Sequence, residues 1–262
     1  MTFHRGHFNR RAALGLFGQA ALLAGATGSA SAATSSAHDQ PGSAGLEMLK
    51  KQLAAAPRRR DFNTVPFMVT RKDQWDHEAA ELVLAYRSRA LQVWEATEIS
   101  APWLNLMREA LNGQVFAHGN PGFLAVAAVH GSAHLALYDQ SAWDKHGLAA
   151  LSGGAASRNV YVAAKAGTSP SDDLQNITGY YGPDNSKIAT LQQRGMVFVA
   201  CHDSIHAIAR NLCHLGRGEA CSADEVAADL TNHLIPGAVL VPSVVAFLIE
   251  LQRVGFTYAK AG

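Results

Sequence analysis

The sequence is poor in cysteine, in charged residues and in long hydrophobic runs. Only three of the 262 residues are cysteine, and the absence of a CxxCH motif argues against covalently attached haem. Charged residues make up 16% and the formal net charge is +1, which gives no electrostatic case for binding nucleic acid. The apolar run near the N-terminus has about 15 residues, whereas a membrane-spanning helix needs about 20.

No glycine-rich phosphate loop and no internal repeat occurs. The pair Gly153-Gly154 lacks the spacing of a nucleotide-binding fingerprint. The chain is nevertheless 48% hydrophobic, which at this length is enough to bury a sizeable core. We therefore expect a folded globular protein.

The N-terminus has the features of an export signal. An arginine pair at 10–11 precedes an apolar stretch, and an Ala-Ser-Ala triplet follows at 30–32. The pattern predicts a signal peptide over residues 1–32 that resembles the twin-arginine type. Its removal takes away three of the 22 basic residues and none of the 21 acidic ones, which leaves a net charge of about −2. We expect a periplasmic or otherwise exported protein with no membrane span after signal removal.

The rest of the chain divides by composition. Residues 33–60 are rich in Ala, Ser, Gly and Pro, which predicts a flexible linker with one short amphipathic helix at 46–53. Within it, the arginines at 58–60 are interpreted as solvated. Residues 61–262 are expected to form a single α/β domain. A stretch rich in Gly, Ser, Asn and Asp at 142–190 is typical of a long insertion in that domain.

The first part of the domain has a helical pattern. Apolar residues recur at intervals of three and four from 76 to 96, which predicts one long helix. A second helix is predicted at 102–111, ended by Asn112-Gly113. The short run at 65–70 contains a proline, so it predicts an edge strand at most.

Three apolar runs, at 123–129, 196–200 and 238–241, have the character of strands buried on both faces. A helical period follows each of them. Alternation of buried strands with helices predicts an α/β three-layer sandwich with an open, mostly parallel sheet.

Polar side chains with useful chemistry follow two of these strands. His130 and His134 come after the first buried run, and Cys201, His202 and His206 come after the second. Ligands in this fold class bind outside the carboxyl ends of the strands. Histidines four apart share a helix face, so these residues could form a transition-metal site. The alternative is that the histidines bond backbone carbonyls or pack on the sheet.

Cys201 is expected at or just before a helix N-terminus. The helix macrodipole there favours the thiolate, which is the form that attacks sulfur and binds metals. Free cysteine is also among the most buried residue types, so Cys201 could instead be a small packing residue that ends a strand.

The other two cysteines flank a turn with two glycines. If residues 203–215 are helical, Cys201 and Cys213 are about 18 Å apart at ~1.5 Å per residue. A disulfide tolerates about 7 Å between Cα atoms. Cys213 and Cys221 are therefore the feasible pair, as a disulfide if the protein is exported or as two free thiols if it is not.

Two stretches, GMVFVAC at 195–201 and VLVPSVVAFLIELQRVGFTY at 239–258, carry a resemblance to the DsrE/DsrF-like family. In that family a strand ends on a cysteine in a GVxFxxC-like segment, and a later Val-Pro-Ser opens a helix that ends in Leu-Gln-x-x-Gly-Tyr-x-Tyr. The matching residues here are Gly195, Val197, Phe198, Cys201, Val241, Pro242, Ser243, Leu251, Gln252, Gly255, Phe256 and Tyr258.

The resemblance implies a flavodoxin-like sandwich, a homo-oligomer and, in some members, relay of sulfur as a cysteine persulfide. It maps Cys201 onto the sulfur-carrying cysteine and implies a sulfur donor or acceptor protein as partner. The chain departs from the family in two respects. His202-Asp203 follows the cysteine where small residues are common, and an export signal is unlike the cytoplasmic sulfur carriers.

Three functions are compatible with these observations. The leading hypothesis is an exported DsrE-like sulfur-transfer protein with Cys201 and His202 as its catalytic residues. The second is a periplasmic metal- or haem-binding protein with His130, His134 and His206 among its ligands. The third is a non-catalytic interaction module in which Cys201 is packing. A transition metal is the one cofactor that these hypotheses include.

Overall fold

Five parallel strands form the centre of the molecule. The computed structural model describes residues 41–216 and 221–261, so the predicted signal peptide and residues 33–40 lie outside the described part. The strands are β1 (Leu91–Ala96), β2 (Leu124–Val129), β3 (Val197–Cys201), β4 (Val239–Val241) and β5 (Thr257–Lys260). Their order in the sheet is β4-β3-β2-β1-β5, and every pairing is parallel.

Helices occupy most of the connections. They are α1 (Pro41–Ala55), α2 (His77–Ala85), α3 (Trp103–Asn112), α4 (Gln140–His146), α5 (Leu148–Leu151), α6 (Ile188–Gln193), α7 (His202–Gly216), α8 (Ala223–Asn232) and α9 (Val244–Arg253). Short 3-10 helices lie at Lys72–Gln74, Gly131–Leu137 and Pro183–Asn185, and a π-helix lies at Gly113–Ala117.

The sheet is covered on both faces by apolar side chains. Helices α3, α6, α7 and α8 pack on one face around Phe198 and Leu240. Helices α1, α2 and α9 pack on the other face around Val199 and Val239. The alternation of side chains along each strand sends neighbouring residues into different layers. The predicted α/β three-layer sandwich, of flavodoxin-like type, is confirmed.

The strand order places the connections on both faces of the sheet. Right-handed crossovers that step from β1 to β4 lie on one face of the sheet, and the single step back to β5 through α9 lies on the other. The helices after β3 and β4 therefore leave on opposite faces. This fold class binds ligands in the crevice outside the carboxyl ends of its strands. In the usual flavodoxin order, 2-1-3-4-5, the second strand lies outside the first, whereas here β5 takes that place.

The prediction of one long helix over 76–96 is wrong in its second half. Helix α2 ends at Ala85, and Leu91–Ala96 forms β1 in the interior of the sheet. Leu91 and Val93 satisfy both a period of two and a period of three to four, so the pattern alone is ambiguous. Pairing with β2 and β5 on both sides decides the matter.

The short helix predicted within the linker at 46–53 is present and is longer than expected. Residues 41–55 form α1, which buries Leu46 and Leu49 against the second face of the sheet. The arginines at 58–60 are not simply solvated, because they bind the buried carboxylate of Asp76 or its neighbour Glu78. The run at 65–70 is not a strand.

The insertion at 142–190 is turn-rich but ordered around one side chain. Asn185 is fully buried. Its Oδ1 accepts hydrogen bonds from the Lys165 N–H and the Thr190 hydroxyl, and its Nδ2 donates to the Tyr180 carbonyl. One amide thus joins three turns of the insertion. Among the described residues, no helix has both the length and the apolar character needed to cross a bilayer.

Candidate functional site

Side chains from neighbouring strands meet at the carboxyl edge of the sheet. Val129 lies opposite Ala200, so His130 and Cys201 follow at the same level on adjacent strands. His130 is extended, with φ −150° and ψ −171°, and so continues the line of β2. Cys201 packs in the layer of α9, and alternation directs His130 to that same face, because Ala128 packs there too.

The sulfur of Cys201 faces the start of α9. The residue is 3% exposed, and the Val244 N–H donates a hydrogen bond to Sγ at 3.4 Å. Val244 is the first helical residue after the N-cap Ser243, so its N–H has no carbonyl partner within the helix. The sequence placed Cys201 before α7, which does begin at His202, but the helix N-terminus in contact with the sulfur is that of α9. The positive end of a helix dipole stabilises a thiolate.

His130 belongs to a second polar group at this edge. Its Nε2 donates to Glu95 Oε1 at 2.9 Å, and the Tyr258 hydroxyl donates to Glu95 Oε2. Burial of the carboxylate opposes its ionisation, but these two hydrogen bonds, with the charges of His130 and Lys260, lower the pKa of Glu95. The carboxylate is therefore ionised at neutral pH. Because Nε2 is the donor, Nδ1 of the neutral His130 ring carries the lone pair.

His134 supports the backbone of Cys201. The ring is fully buried, and its Nε2 accepts the Cys201 N–H at 3.0 Å. Burial, followed by the charge of His130, lowers the pKa of His134 to about 3. The ring is thus neutral at physiological pH, and the nitrogen that accepts from Cys201 is already occupied.

His202 and His206 contact each other and an N-terminal segment. The His202 Nε2 donates to the Pro66 carbonyl at 2.8 Å, and the two ring centroids are 4.7 Å apart. The hydrogen bond to the Cys201 sulfur comes from Val244 and not from His202. Burial lowers the pKa of both histidines.

The proposed metal ligands are not brought together. Across residues 41–216 and 221–261, no three His, Cys, Asp or Glu side chains are grouped so that they could hold a metal ion. His130 binds Glu95, His134 binds the Cys201 backbone and His206 contacts His202. For His130 and His134 the spacing of four residues did not produce a shared face, because His130 continues a strand while His134 lies in a 3-10 helix. His202 and His206 do share a face of α7, but no third ligand joins them among the described residues.

The two remaining cysteines form a disulfide. The sulfurs of Cys213 and Cys221 are 2.07 Å apart and the Cα atoms 5.5 Å apart. The feasible pair deduced from the sequence is the pair that the structure joins. Cys201 is a free, buried cysteine.

A cleft lies away from Cys201 and His130. It has a volume of about 680 Å³ and is lined by Phe62, Asn63, Lys145, His146, Cys221, Ser222, Glu225, Val226, Asp229 and Asn232. Asp229 accepts hydrogen bonds from Lys145 at 2.6 Å and from His146 at 2.5 Å. Lys145 and His146 thus compensate the Asp229 carboxylate within the protein. A second hollow, of about 560 Å³, lies between α1 and α2.

Sequence reasoning missed Glu95 and Tyr258 as site residues. Glu95 lies inside the apolar stretch LQVWEA, which was interpreted as a helix, so its place at a strand end was hidden. The one signal in the sequence that could have identified Glu95 was a single carboxylate within an otherwise largely apolar stretch. Comparison of the chain with models of protein families, with curated proteins and with solved structures finds no match.

Proposed function

We propose that this protein is an exported DsrE-like sulfur carrier that holds sulfur as a persulfide on Cys201. The observation that carries the proposal is the position of the thiol. It ends β3 at the carboxyl edge of the sheet, and its sulfur accepts a hydrogen bond from the first N–H of α9. Both features favour a thiolate at the place where this fold class binds ligands.

The chemical step is attack of a thiolate on sulfane sulfur. His130 accepts the proton of the Cys201 thiol, and the thiolate attacks a terminal sulfur of an inorganic polysulfide. A bond forms between Sγ and that sulfur, while the polysulfide bond to it breaks and the shortened polysulfide leaves with the electron pair. A thiolate of an acceptor protein then attacks the outer sulfur and releases the Cys201 thiolate.

The neighbours of Cys201 supply the proton chemistry. His130 occupies the adjacent strand end on the same face, and Glu95 fixes its tautomer through the bond to Nε2. In this proposal His130, and not His202, is the histidine that acts on the thiol. His202 is instead committed to the Pro66 carbonyl.

Burial of the sulfur restricts the donor. With 3% of Cys201 exposed, a bulky donor cannot reach Sγ in the described conformation. The donor class that fits is a small, unbranched sulfur anion such as a polysulfide. An acceptor protein meets the same restriction, so in this proposal transfer to it requires this edge of the sheet to open. The homo-oligomeric state is also part of the proposal, and sedimentation of the mature protein tests it.

Intact mass after treatment with polysulfide tests the proposal. We expect wild-type protein to gain one sulfur atom that a reductant removes, and Cys201→Ser to gain none. His130→Gln should slow the gain by about a hundredfold or more, as removal of a general base does. His214→Gln, which changes an exposed histidine, is the matched control and should react at the wild-type rate.

The second candidate function is a non-catalytic interaction module. The observation that favours it is the burial of Cys201, which is typical of a packing residue. If wild-type protein gains no adduct, or if Cys201→Ser gains an equal one, sulfur transfer on Cys201 is excluded. The interaction module is then the function that remains.

A further inference from the structure

Residues 62–70, here called the strap, run across α7 and α8 without forming a helix or a strand. The Phe62 N–H donates to Asn232 Oδ1 at 3.0 Å, and Asn232 Nδ2 donates to the Phe62 carbonyl at 2.7 Å. The Val65 N–H bonds the Asp224 carbonyl at 3.4 Å, and the Val65 side chain is buried. Asparagine and backbone groups thus tie the first half of the strap to α8.

The second half of the strap rests on a pair of histidines. His202 and His206, in the first turns of α7, are 2% and 1% exposed. The Pro66 carbonyl accepts the His202 Nε2–H at 2.8 Å. The ring of Phe67 meets the ring of His206 edge-on, with centroids 5.7 Å apart. The strap therefore covers both imidazoles.

Each imidazole has a buried nitrogen without a partner among the described residues. These atoms are Nδ1 of His202 and Nε2 of His206. In a neutral His202 ring, Nε2 donates and Nδ1 is a bare acceptor. Protonation would convert it to an N–H with nothing to bind, and burial of an unpaired charged donor is costly. A second protonation would place two cations on rings 4.7 Å apart.

The surrounding charges do not compensate for protonation. On α7 the charged neighbours are Asp203, near His202, and Arg210, whose guanidinium lies over Phe67 at 5.4 Å. On α8 the neighbour is Asp224, whose Oδ1 is 3.8 Å from His206 Nδ1 and whose side chain is 55% exposed. The strap itself contains no charged residue. For the second half of the strap, a change of pH near 6 therefore acts through the histidine pair. The first half shares a cleft with His146, which is bonded to Asp229.

We propose that His202 and His206 form an acid-sensitive latch, which holds the strap on α7 while both rings are neutral and releases it when they are protonated. Two imidazoles without a third ligand among the described residues do not make a metal site, so a proton is the ligand that fits. The latch goes beyond the proposed sulfur chemistry and does not depend on it.

The direction of the effect follows from linkage. Burial lowers the pKa of both rings from the ordinary value of 6.5 in the closed state, whereas the open state exposes them. The closed strap is therefore favoured above pH 6.5, and the open form binds more protons as the pH falls below it. The ratio of open to closed strap rises by up to about tenfold per pH unit for each histidine.

Hydrogen exchange of the strap tests the latch. We expect the protection factors of the strap amides in wild-type protein to be constant above pH 7 and to fall up to about a hundredfold between pH 6.5 and 5.5. The amides of β2 should lose at most about tenfold, through the effect of His134 on global unfolding, and should remain better protected than the strap, which shows that the molecule stays folded. The double variant His202→Gln/His206→Gln should lose the pH dependence, while His214→Gln on the same helix should retain it.

Constant strap protection in wild-type protein from pH 7.5 to 5.0 would overturn the latch, as would the same loss of protection in the double variant. If the double variant does not fold, the pH titration of the imidazole resonances of wild-type protein tests the latch instead. Strap opening must then coincide with titration of His202 and His206, and titration of both rings without opening refutes the proposal.

Discussion

Asp76 shows how a single buried carboxylate completes one edge of the sheet. Strand β4 is an edge strand, so Leu240 has no strand partner on its outer side. The Asp76 N–H donates to the Leu240 carbonyl at 3.0 Å, and the Leu240 N–H donates to Asp76 Oδ2 at 2.8 Å. Arg60 pairs with the same carboxylate at 2.9 Å. The exposed edge that would invite another strand is thereby closed.

We predict that Asp76→Ala destabilises the fold by about 3–5 kcal/mol. The substitution removes the acceptor of a buried ion pair and leaves the Arg60 charge and the Leu240 N–H without it. Urea unfolding measures the change. Asp73→Ala breaks the exposed pair with Arg71 and should cost less than about 1 kcal/mol. Equal costs for the two variants would mean that the Asp76 network is not structural.

Gly131 has a conformation that its neighbours in the site depend on. Its φ is +58°, and a Cβ there would lie 2.5 Å from the Thr97 carbonyl oxygen. Because Gly131 follows His130 directly, relief of this clash would move the histidine as well.

We therefore predict that Gly131→Ala costs more than Gly119→Ala. Gly119 has a similar φ of +63° but open space at the Cβ position, so alanine there costs about 1–2 kcal/mol. The clash at Gly131 should add roughly 1–3 kcal/mol of strain. Thermal unfolding of the two variants provides the comparison, and a smaller loss at Gly131 would contradict the described geometry.

At the scale of elements, the helices that follow β3 and β4 determine which groups contact Cys201 at the carboxyl edge of the sheet. Helix α7 begins directly after Cys201, but its first turns hold His202 and His206 against the strap. Helix α9 begins with the N-cap Ser243, whose hydroxyl accepts the Ala246 N–H. It is α9 that brings a free N–H to the thiol. A strand-helix junction in the sequence thus identifies the edge, but not the helix that faces the sulfur.

Helices α7 and α8 are joined by the disulfide, and we predict that its reduction lowers stability without unfolding the sheet. Cys213 and Cys221 are eight residues apart, and closing a loop of that size contributes about 2–3 kcal/mol by the chain-entropy estimate. Urea unfolding with and without reductant measures the difference. Cys201→Ser should lose the same amount on reduction, because Cys201 is a free cysteine. No change on reduction would show that the bond constrains neither state.

At the scale of the whole molecule, buried neutral histidines make the fold sensitive to acid. The pKa of His134 is lowered to about 3 by burial, and its ordinary value in an unfolded chain is near 6.5. The stability that the neutral ring contributes is fully present above pH 6.5. It is lost as the pH falls from 6.5 towards 3, because the unfolded state binds the proton first.

We predict that the free energy of unfolding falls between pH 6.5 and 5, with up to about 1.4 kcal/mol per pH unit coming from His134. His134→Gln keeps an acceptor for the Cys201 N–H but cannot take up a proton, so its slope should be shallower by about that amount. His214→Gln should keep the wild-type slope. Chemical unfolding at several pH values measures the slopes, and identical slopes for wild type and His134→Gln would exclude this role.

Much of the architecture was predictable from local pattern. The buried runs that became β2, β3 and β4 are continuous in the sequence, so each one specifies a buried parallel strand without reference to the others. The N-cap Ser243 and the disulfide pair are also local, because they depend on spacing along one segment.

The sequence by itself thus determined the class of fold and the placing of Cys201 and His130 at the ends of buried strands. Only the tertiary structure decided that 91–96 is a strand, that the thiol faces α9, and that Glu95, which accepts a hydrogen bond from Tyr258, also binds His130. Periodicity is encoded in consecutive residues, whereas the face to which a side chain points depends on strand order and register. Those are set by contacts between segments far apart in the chain, which no local pattern contains.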